Sequence, residues 1–384
     1  MVERRGRPLT HAEVEPVLAP LAQARPFPAR AFVDEEVFAF EVASIFGRAW
    51  ICVGRVDEVD LPGQWIRESV AGEPILVVRG PDLRLRAFFD VCRHRGASLV
   101  GREPCGRDAR LECPYHGWTY ELDGRLAAAP FAPPRFDRTA HGLREVRVDL
   151  WRGFVFVCLD DDTPALVDWL GEPPPWLTEH TLGALRRARR TTYEVNANWK
   201  LLVENFQESH HFTRVHRALE RLTPAREARS WLGNGPWLGG TMEIADAETV
   251  SINGSRHGRP LIVRADVEGA RPRVFDAMLF PGLLTSLQPD YLLTYRLTPL
   301  TPARTRVTAD VYLHPAAFAV EAEPRDVFDF WDRVNPEDKA ICEDQHANTS
   351  SRAFAPACYA VVEEGVHAFD RMVAAAHRDA RSVE

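Results

Sequence analysis

Two cysteine–histidine pairs constrain this chain more than any other feature: Cys92-Arg93-His94 and Cys113-Pro114-Tyr115-His116, with 18 residues between His94 and Cys113. Each pair offers one thiolate and one imidazole, so two loops brought together present two sulfur and two nitrogen donors. Such a set suits tetrahedral Zn²⁺. It suits equally a [2Fe–2S] cluster in which two histidines replace two cysteines on one iron, with Cys92 and Cys113 on one metal and His94 and His116 on the other. Neutral imidazoles lower the cluster's negative charge and raise its potential, which fits a role in passing electrons onward. Spacing alone leaves both options open.

The other five cysteines do not extend the set. Seven in all is an odd number and too sparse for a disulfide framework. Cys52 and Cys158 sit in apolar, strand-like runs; with Cys342 and Cys358 they read as small buried hydrophobes, and Cys105 as a loop thiol. Lys plus Arg number 47 against 55 Asp plus Glu, a net charge of −8 that argues against nucleic acid as a partner. No apolar run has the length of a signal peptide core or a membrane span, so the expectation is a cytoplasmic protein. At 384 residues the chain has room for two or three domains.

Residues 1–30, rich in Pro, Arg and Ala, read as an extended lead, and Asp34 opens a helix with Phe38, Val42, Ile45 and Phe46 on one stripe. Short β-type runs follow between residues 49 and 160: WICVGRV, PILVVRG, LRAFFDV and GFVFVCLD, parted by Gly, Pro and Asp turns. A Pro-rich joint at 171–175 and a basic run, Arg186-Arg187-Ala188-Arg189-Arg190, come next. The run reads as a solvated charged face, with docking of an acidic ferredoxin or reductase as its functional alternative. Residues 196–220 read as a helix, 283–297 and 305–314 as paired strands joined by a turn around Pro302, and 324–348 and 362–378 as helices.

The 196–220 segment holds the second dense patch. On a helix Glu204, Glu208 and His211 share a face, and Glu208 can hydrogen-bond the His211 ring and fix its tautomer. His211 and His216 are about 140° apart on a regular helix, so for both to meet one metal the helix must end or distort between them. Further on, Asn335-Pro336-Glu337-Asp338 reads as a helix start, Asn335 the N-cap and Pro336 the first helical residue; Asp338 alone would then be an acid favoured by the helix dipole. Trp199, Trp231, Trp237, Phe206, Phe212 and Phe280 suit a core, though some could line a cavity, where an aromatic cage would accept a quaternary ammonium group.

The flanks of the first pairs, Cys92-Arg93-His94-Arg95-Gly96-Ala97 and Cys113-Pro114-Tyr115-His116-Gly117-Trp118, resemble the Rieske motif of the aromatic-ring-hydroxylating, or Rieske non-haem iron, oxygenases. The segment from Asn198-Trp199-Lys200 through Glu204-Asn205, Glu208, His211 and His216 is similar to the catalytic-iron segment of the same family. The likeness runs from Ile45-Phe46-Gly47-Arg48-Ala49-Trp50 to Val361-Val362-Glu363-Glu364-Gly365. It implies a Rieske [2Fe–2S] cluster on Cys92, His94, Cys113 and His116, and a mononuclear Fe(II) on His211, His216 and Asp338. His210 is the alternative to His211, and Glu337 the alternative to Asp338. Glu208 would be the bridging acid, usually Asp, that links a ligand histidine to a cluster histidine, His116, of a neighbouring subunit. His346 departs from the pattern, standing where the family usually has Gln.

The fold the resemblance implies is α+β: a lead and helix over 1–47, an all-β Rieske module over 48–162, and a helix-grip (START-like) catalytic domain with an antiparallel sheet over 163–384, assembled as a homotrimer. Neither a P-loop nor a dinucleotide Gly fingerprint follows a strand, so electrons would come from a separate NAD(P)H reductase or ferredoxin. With O₂, the iron would hydroxylate a small molecule. The 280–312 stretch and the glutamate at the bridge resemble the branch containing glycine betaine and choline-type monooxygenases, implying oxidation or N-demethylation of a betaine or N-methyl compound. Hydroxylation or demethylation of an aromatic, and oxidation of a larger natural product, are the alternatives.

Overall fold

In the computed structural model, which describes residues 6–178, 180–263, 271–320 and 324–381, the chain divides into two units. One is Phe46–Val167; the other joins the residues up to Ile45 with those from Asp168 onward.

The apolar runs of the first unit form strands because each is bounded by turn residues and can be buried on both faces. Its strands are β1 (Ile51–Arg55), β2 (Gln64–Val70), β3 (Glu73–Arg79), β4 (Leu85–Phe89), β5 (Cys105–Arg107), β6 (Leu111–Glu112), β7 (Thr119–Tyr120), β8 (Leu126–Ala128), β9 (Glu145–Trp151) and β10 (Phe154–Cys158). Seven make one antiparallel sheet, in the order β1-β10-β9-β4-β3-β2-β5, and β6-β7-β8 make a small second one. The run in β3 shows why alternation is absent: Ile75 and Val77 enter one core with Val53, Ile66 and Val155, while Leu76 and Val78 enter another with Trp65, Phe88, Trp118 and Tyr120.

The described strands of the second unit are β11 (Arg186–Val195), β12 (Arg229–Leu232), β13 (Trp237–Glu243), β14 (Arg273–Leu279), β15 (Leu283–Leu287), β16 (Tyr291–Thr301) and β17 (Arg304–Leu313), in the antiparallel order β11-β17-β16-β15-β14-β13-β12. A 25-residue helix, Arg325–Thr349, packs Phe330, Trp331 and Val334 onto Tyr291, Leu293, Val311 and Leu313 of the central strands.

Several local expectations change. The lead contains a helix, His11–Leu18, opened by a Thr10/Glu13 capping box and burying Val14 and Val17. Asp34 caps Glu35–Glu41, accepting from the amides of Glu36 (2.8 Å) and Val37 (3.0 Å). That helix runs on into a π-helical turn, Val42–Phe46. The extra residue of the turn shifts the buried stripe, so Val37 and Phe40 lie inside while Phe38 and Val42 are half-buried. Asn335-Pro336 is not a helix start but the middle of Arg325–Thr349. A proline inside a helix costs one backbone hydrogen bond, which the packing of the flanking turns outweighs here. The basic run is strand β11, and much of it is internally neutralised: Arg190 makes a two-pronged contact with buried Asp310 (2.7 and 2.9 Å), and Arg189 reaches Asp332 (2.9 Å). Cys358 is exposed, whereas Cys52, Cys158 and Cys342 are buried.

The motif residues Asn198, Trp199 and Lys200 owe their place to folding. Asn198 caps the Trp199–Phe206 helix and donates to the carbonyls of Phe32 and Pro302. Lys200 Nζ binds both oxygens of fully buried Glu41 (2.8 and 2.7 Å), which also accepts from Trp199 Nε1 (2.9 Å). His377 accepts the Leu9 amide at Nδ1 (3.1 Å), so its Nε2 donates to Glu41 (3.2 Å). Burial alone would raise the Glu41 pKa; Lys200 and His377 more than reverse that, and the carboxyl lies below its ordinary range. Glu41→Ala leaves Lys200 charged and unpaired in the core, and is expected to cost about 3–5 kcal/mol in urea unfolding of this unit. The apolar pair Glu41→Leu with Lys200→Met should cost clearly less.

Candidate metal centres

The two cysteine–histidine loops have the same backbone form. In the first, the Cys92 amide donates to Ala97 O (2.8 Å) and the Gly96 amide to Cys92 O (2.9 Å); in the second, Cys113 donates to Trp118 O (2.8 Å) and Gly117 to Cys113 O (3.0 Å). Gly96 and Gly117 have φ of +81° and +69°, the left-handed conformation in which a side chain is strained. The shared spacing from each Cys to its Gly, four residues, is the sequence trace of this repeated turn. Cys92 and Cys113 are buried, while His94 and His116 are exposed, their ring centroids 4.7 Å apart. His94 stacks on Trp118 at 4.8 Å and 7°. The Tyr120 hydroxyl accepts the Arg93 amide (3.0 Å) and lies 3.4 Å from Cys92 Sγ. Burial, then the neighbouring Cys92 thiol, pushes the Cys113 thiol up although amides of its own loop pull the other way. Two adjacent buried thiols backed by a tyrosine, with two imidazoles on the solvent side, are a donor set that fits a [2Fe–2S] cluster with two distinct ends.

The second constellation is assembled because the 196–220 segment does not stay helical. The helix ends at Phe206, His211 stands on a 3₁₀ turn, His210–Thr213, and His216 caps the next helix, Arg217–Leu222. The break turns both rings toward Asp338 on the long helix: His216 Nε2 is 2.7 Å and His211 Nε2 3.6 Å from Asp338 Oδ1, and one donor atom from each of the three residues lies within 4.8 Å of the others. His211 Nε2 is buried with no hydrogen-bond partner among the described residues, as an atom reserved for a ligand would be. Each ring is held from behind. His211 Nδ1 donates to Glu208 (2.5 Å) and His216 Nδ1 to Glu337 (2.7 Å). Glu337 therefore meets the nitrogen turned away from Asp338. His210, whose side chain is 46% exposed, faces Glu208 (2.7 Å) and Glu363 (3.6 Å) rather than the triad.

Burial opposes charge on His211, but the nearby Asp338 carboxylate and the hydrogen bond to Glu208 bring its pKa up to about 9, and His216 is raised by Asp338 and Glu337. Asp338 and Glu208 lie below the usual carboxylate range because their histidine partners more than offset burial. Two imidazoles and one carboxylate on one side of a metal, with room on the other, suit Fe(II) that must also bind O₂.

That room is a cavity of about 690 Å³, walled by the concave face of the sheet and the triad. Phe206 and Phe212 line it, joined by Tyr193, Tyr295 and Trp331, while Trp199 and Trp237 are fully buried core residues. Tyr295 donates to Asn335 Oδ1 (2.7 Å). Sequence reading missed Tyr295, Asp276, Ser286 and Gln288 in this wall. One signal was available: Asp276 is an acid inside the apolar strand run RVFDAML, and such a residue asks for an explanation.

Two family profiles match the chain. Residues 49–147 match "Rieske [2Fe-2S] domain", and residues 182–378 match "Ring hydroxylating alpha subunit (catalytic domain)". The chain belongs to the ring-hydroxylating oxygenase alpha-subunit family. Proteins of this family are Rieske oxygenases: they carry a [2Fe–2S] cluster and a mononuclear iron, use O₂ on small substrates and draw electrons from a separate reductase. Among its relatives is the glycine betaine monooxygenase oxygenase subunit of Chromohalobacter salexigens, 31% identical over 85% of this chain and 80% of that one. Another is the carnitine monooxygenase oxygenase subunit of Escherichia coli, 35% identical over 50% of this chain and 53% of that one. The fold is also that of the quaternary ammonium Rieske monooxygenase CntA in complex with L-carnitine, with a TM-score of 0.76 at 24% identity, covering 97% of this chain and 99% of that one. Among the described residues no helix is long and apolar enough to cross a membrane.

Proposed function

We propose that this chain is the oxygenase component of a Rieske monooxygenase for a small quaternary ammonium compound of the betaine or carnitine class. In this reading Cys92, His94, Cys113 and His116 hold the cluster within a Rieske module at 48–162, and His211, His216 and Asp338 hold Fe(II) within a catalytic domain at 163–384 that includes the 1–47 lead. The observation that carries it is the convergence of the His211, His216 and Asp338 donor atoms on a cavity whose wall is rich in aromatic rings. The relatedness to betaine and carnitine monooxygenases supports the substrate class.

When bound, the iron supplies reductive activation of O₂, with electrons arriving through the cluster. The chain's own residues prepare for that chemistry. Glu208 and Glu337 hold protons on the Nδ1 atoms of His211 and His216, so both rings present Nε2 to the metal. Aromatic faces attract an ammonium head and keep water from it. Glu208 has a second task in a homotrimer: its carboxylate takes the His116 ring of a neighbouring subunit and so connects cluster to iron. The enzyme works in the cytoplasm beside its reductase.

For a trimethylammonium substrate the balance is one O₂, two electrons and two protons in. One N-methyl C–H becomes C–OH, and water is released. The resulting N–CH₂OH loses formaldehyde, with the N–C bond pair returning to nitrogen. The test is a substrate screen of the holoenzyme with a surrogate reductase and NADH, scoring formaldehyde and C–N cleavage products against ring-hydroxylated ones. Turnover of glycine betaine, γ-butyrobetaine or L-carnitine is expected. Oxidation of aromatics with no turnover of any ammonium compound would overturn the reading.

A further inference from the structure

The cavity wall contains a carboxyl group with no cationic side chain paired to it among the described residues. Asp276 sits at the middle of β14, in register with Gly240 on β13 and Ser286 on β15, and borders the cavity. Its neighbour Gly240 has no side chain to set against it, and Ser286, facing it from the other side, eases the cost of its charge only in part. Ser286 Oγ in turn accepts from Gln288 Nε2 (2.9 Å), which also borders the cavity and is 1% exposed. Among the described residues Asp276 Oδ1 has no hydrogen-bond partner, nor has Gln288 Oε1, so two buried acceptors stand unsatisfied in one patch of the wall. Burial pushes the Asp276 carboxyl up to about 7, Ser286 relieves this only in part, and no cationic side chain among the described residues bears on it.

An acid in the wall of a mostly apolar cavity is costly unless something occupies the cavity that compensates it. A cation in the cavity does so while keeping the carboxyl ionised, where protonation would otherwise relieve it. The position suits the chemistry too. Tyr295, a partly buried residue of the same wall, has its hydroxyl pushed well up by desolvation first, then by Tyr193, Asp338, Tyr291 and Asp276. Its ring therefore lies within electrostatic reach of both the metal-facing Asp338 and the wall acid.

We propose that Asp276 is the counter-charge that selects the cationic head of the substrate, so that this cavity distinguishes an ammonium compound from the isostere with an uncharged carbon in place of N⁺. The inference rests on the ammonium reading above and names the residue that would enforce it. Ser286 and Gln288 are positioning residues that hold the carboxylate toward the cavity.

The test uses matched pairs that differ only in N⁺ against C: glycine betaine with 3,3-dimethylbutanoate, γ-butyrobetaine with 5,5-dimethylhexanoate, and choline with 3,3-dimethylbutan-1-ol. Dissociation constants are measured by calorimetry on the holoenzyme and on Asp276→Asn, which keeps size and shape and whose folding is checked by unchanged cluster and iron content. The wild type is expected to prefer the ammonium member of at least one pair by ~30-fold or more, the effect of desolvated charge pairing. Asp276→Asn should lose most of that preference through weaker binding of the cation, with the isostere bound as before. A purely structural role would weaken both members alike. An undiminished preference in Asp276→Asn, or equal weakening of both members, overturns the role of Asp276 and leaves the ammonium reading standing. If the wild type binds the isosteres as well as the cations, or binds no ammonium compound, the ammonium reading itself falls and the role of Asp276 with it.

Discussion

Asp338→Ala is expected to remove the mononuclear iron and abolish O₂-dependent turnover while leaving the Rieske cluster untouched. Iron and sulfide analysis should fall from about three irons and two labile sulfides per chain to about two and two, with the reduced-cluster EPR signal retained. The magnitude follows from the donor count. Two imidazoles without their carboxylate keep neither the charge nor the geometry that Fe(II) needs beside open positions. The substitution is clean because Asp338 lies inside the Arg325–Thr349 helix rather than at its start. Alanine is the best helix former and no cap is lost. Glu337→Ala is the control: Glu337 holds the far nitrogen of His216 at 2.7 Å, so the variant should weaken iron binding by roughly 10–100-fold without eliminating it. Retention of the third iron in Asp338→Ala would refute the ligand assignment.

Glu208→Gln is expected to reduce product formation about 100-fold while the cluster spectrum stays intact. Glu208 shares its two oxygens among three partners: His211 Nδ1 at 2.5 Å, the His211 amide at 3.2 Å and His210 Nδ1 at 2.7 Å. Glutamine keeps the side-chain length and one acceptor for the His211 ring, so much of the metal-facing geometry survives. It loses the negative charge and puts an NH₂ where the second oxygen stood, which can no longer accept from another imidazole. Stopped-flow oxidation of the pre-reduced cluster by O₂ in the presence of substrate separates the two possible effects. Slow cluster oxidation at normal iron content supports an electron route through Glu208. Loss of iron with a normal rate in the loaded fraction assigns Glu208 to metal positioning alone, and an unchanged rate at unchanged iron content removes it from both roles.

How much of this was legible in the sequence depended on whether the determining interactions were local. The Rieske loops were, because each cysteine, its histidine and its left-handed glycine lie within five residues, and the repeated turn leaves the same spacing twice. The runs of β1, β3, β4 and β10 were legible as strands because two-sided burial makes them continuously apolar. β2, β5 and β9 were not singled out, being shorter in apolar content and dependent on their partners for pairing. A helix break between His211 and His216 was anticipated from the angle between them; the helix ends earlier, at Phe206, and a 3₁₀ turn and a cap carry the two histidines. Asn335-Pro336 misled because a local capping signal was overridden by the packing of Phe330, Trp331 and Val334 on the sheet.

By itself the sequence determined the residue types and loop spacings that fit a cluster, the histidine-rich segment, and the family, since each is a short pattern whose chemistry depends on near neighbours. Only the tertiary structure decided which of His210 and His211, and of Glu337 and Asp338, joins His216 in one cluster of donor atoms, because those choices depend on where a helix 122 residues away along the chain presents its face. It also decided that Lys200 and Glu41 are a buried pair, that β11's arginines are largely neutralised from within, and that Asp276 lacks a counter-charge. Each is a statement about what lies beside a charge after folding. Electrostatics in a protein interior depend on distance and burial, and neither is written in the order of residues.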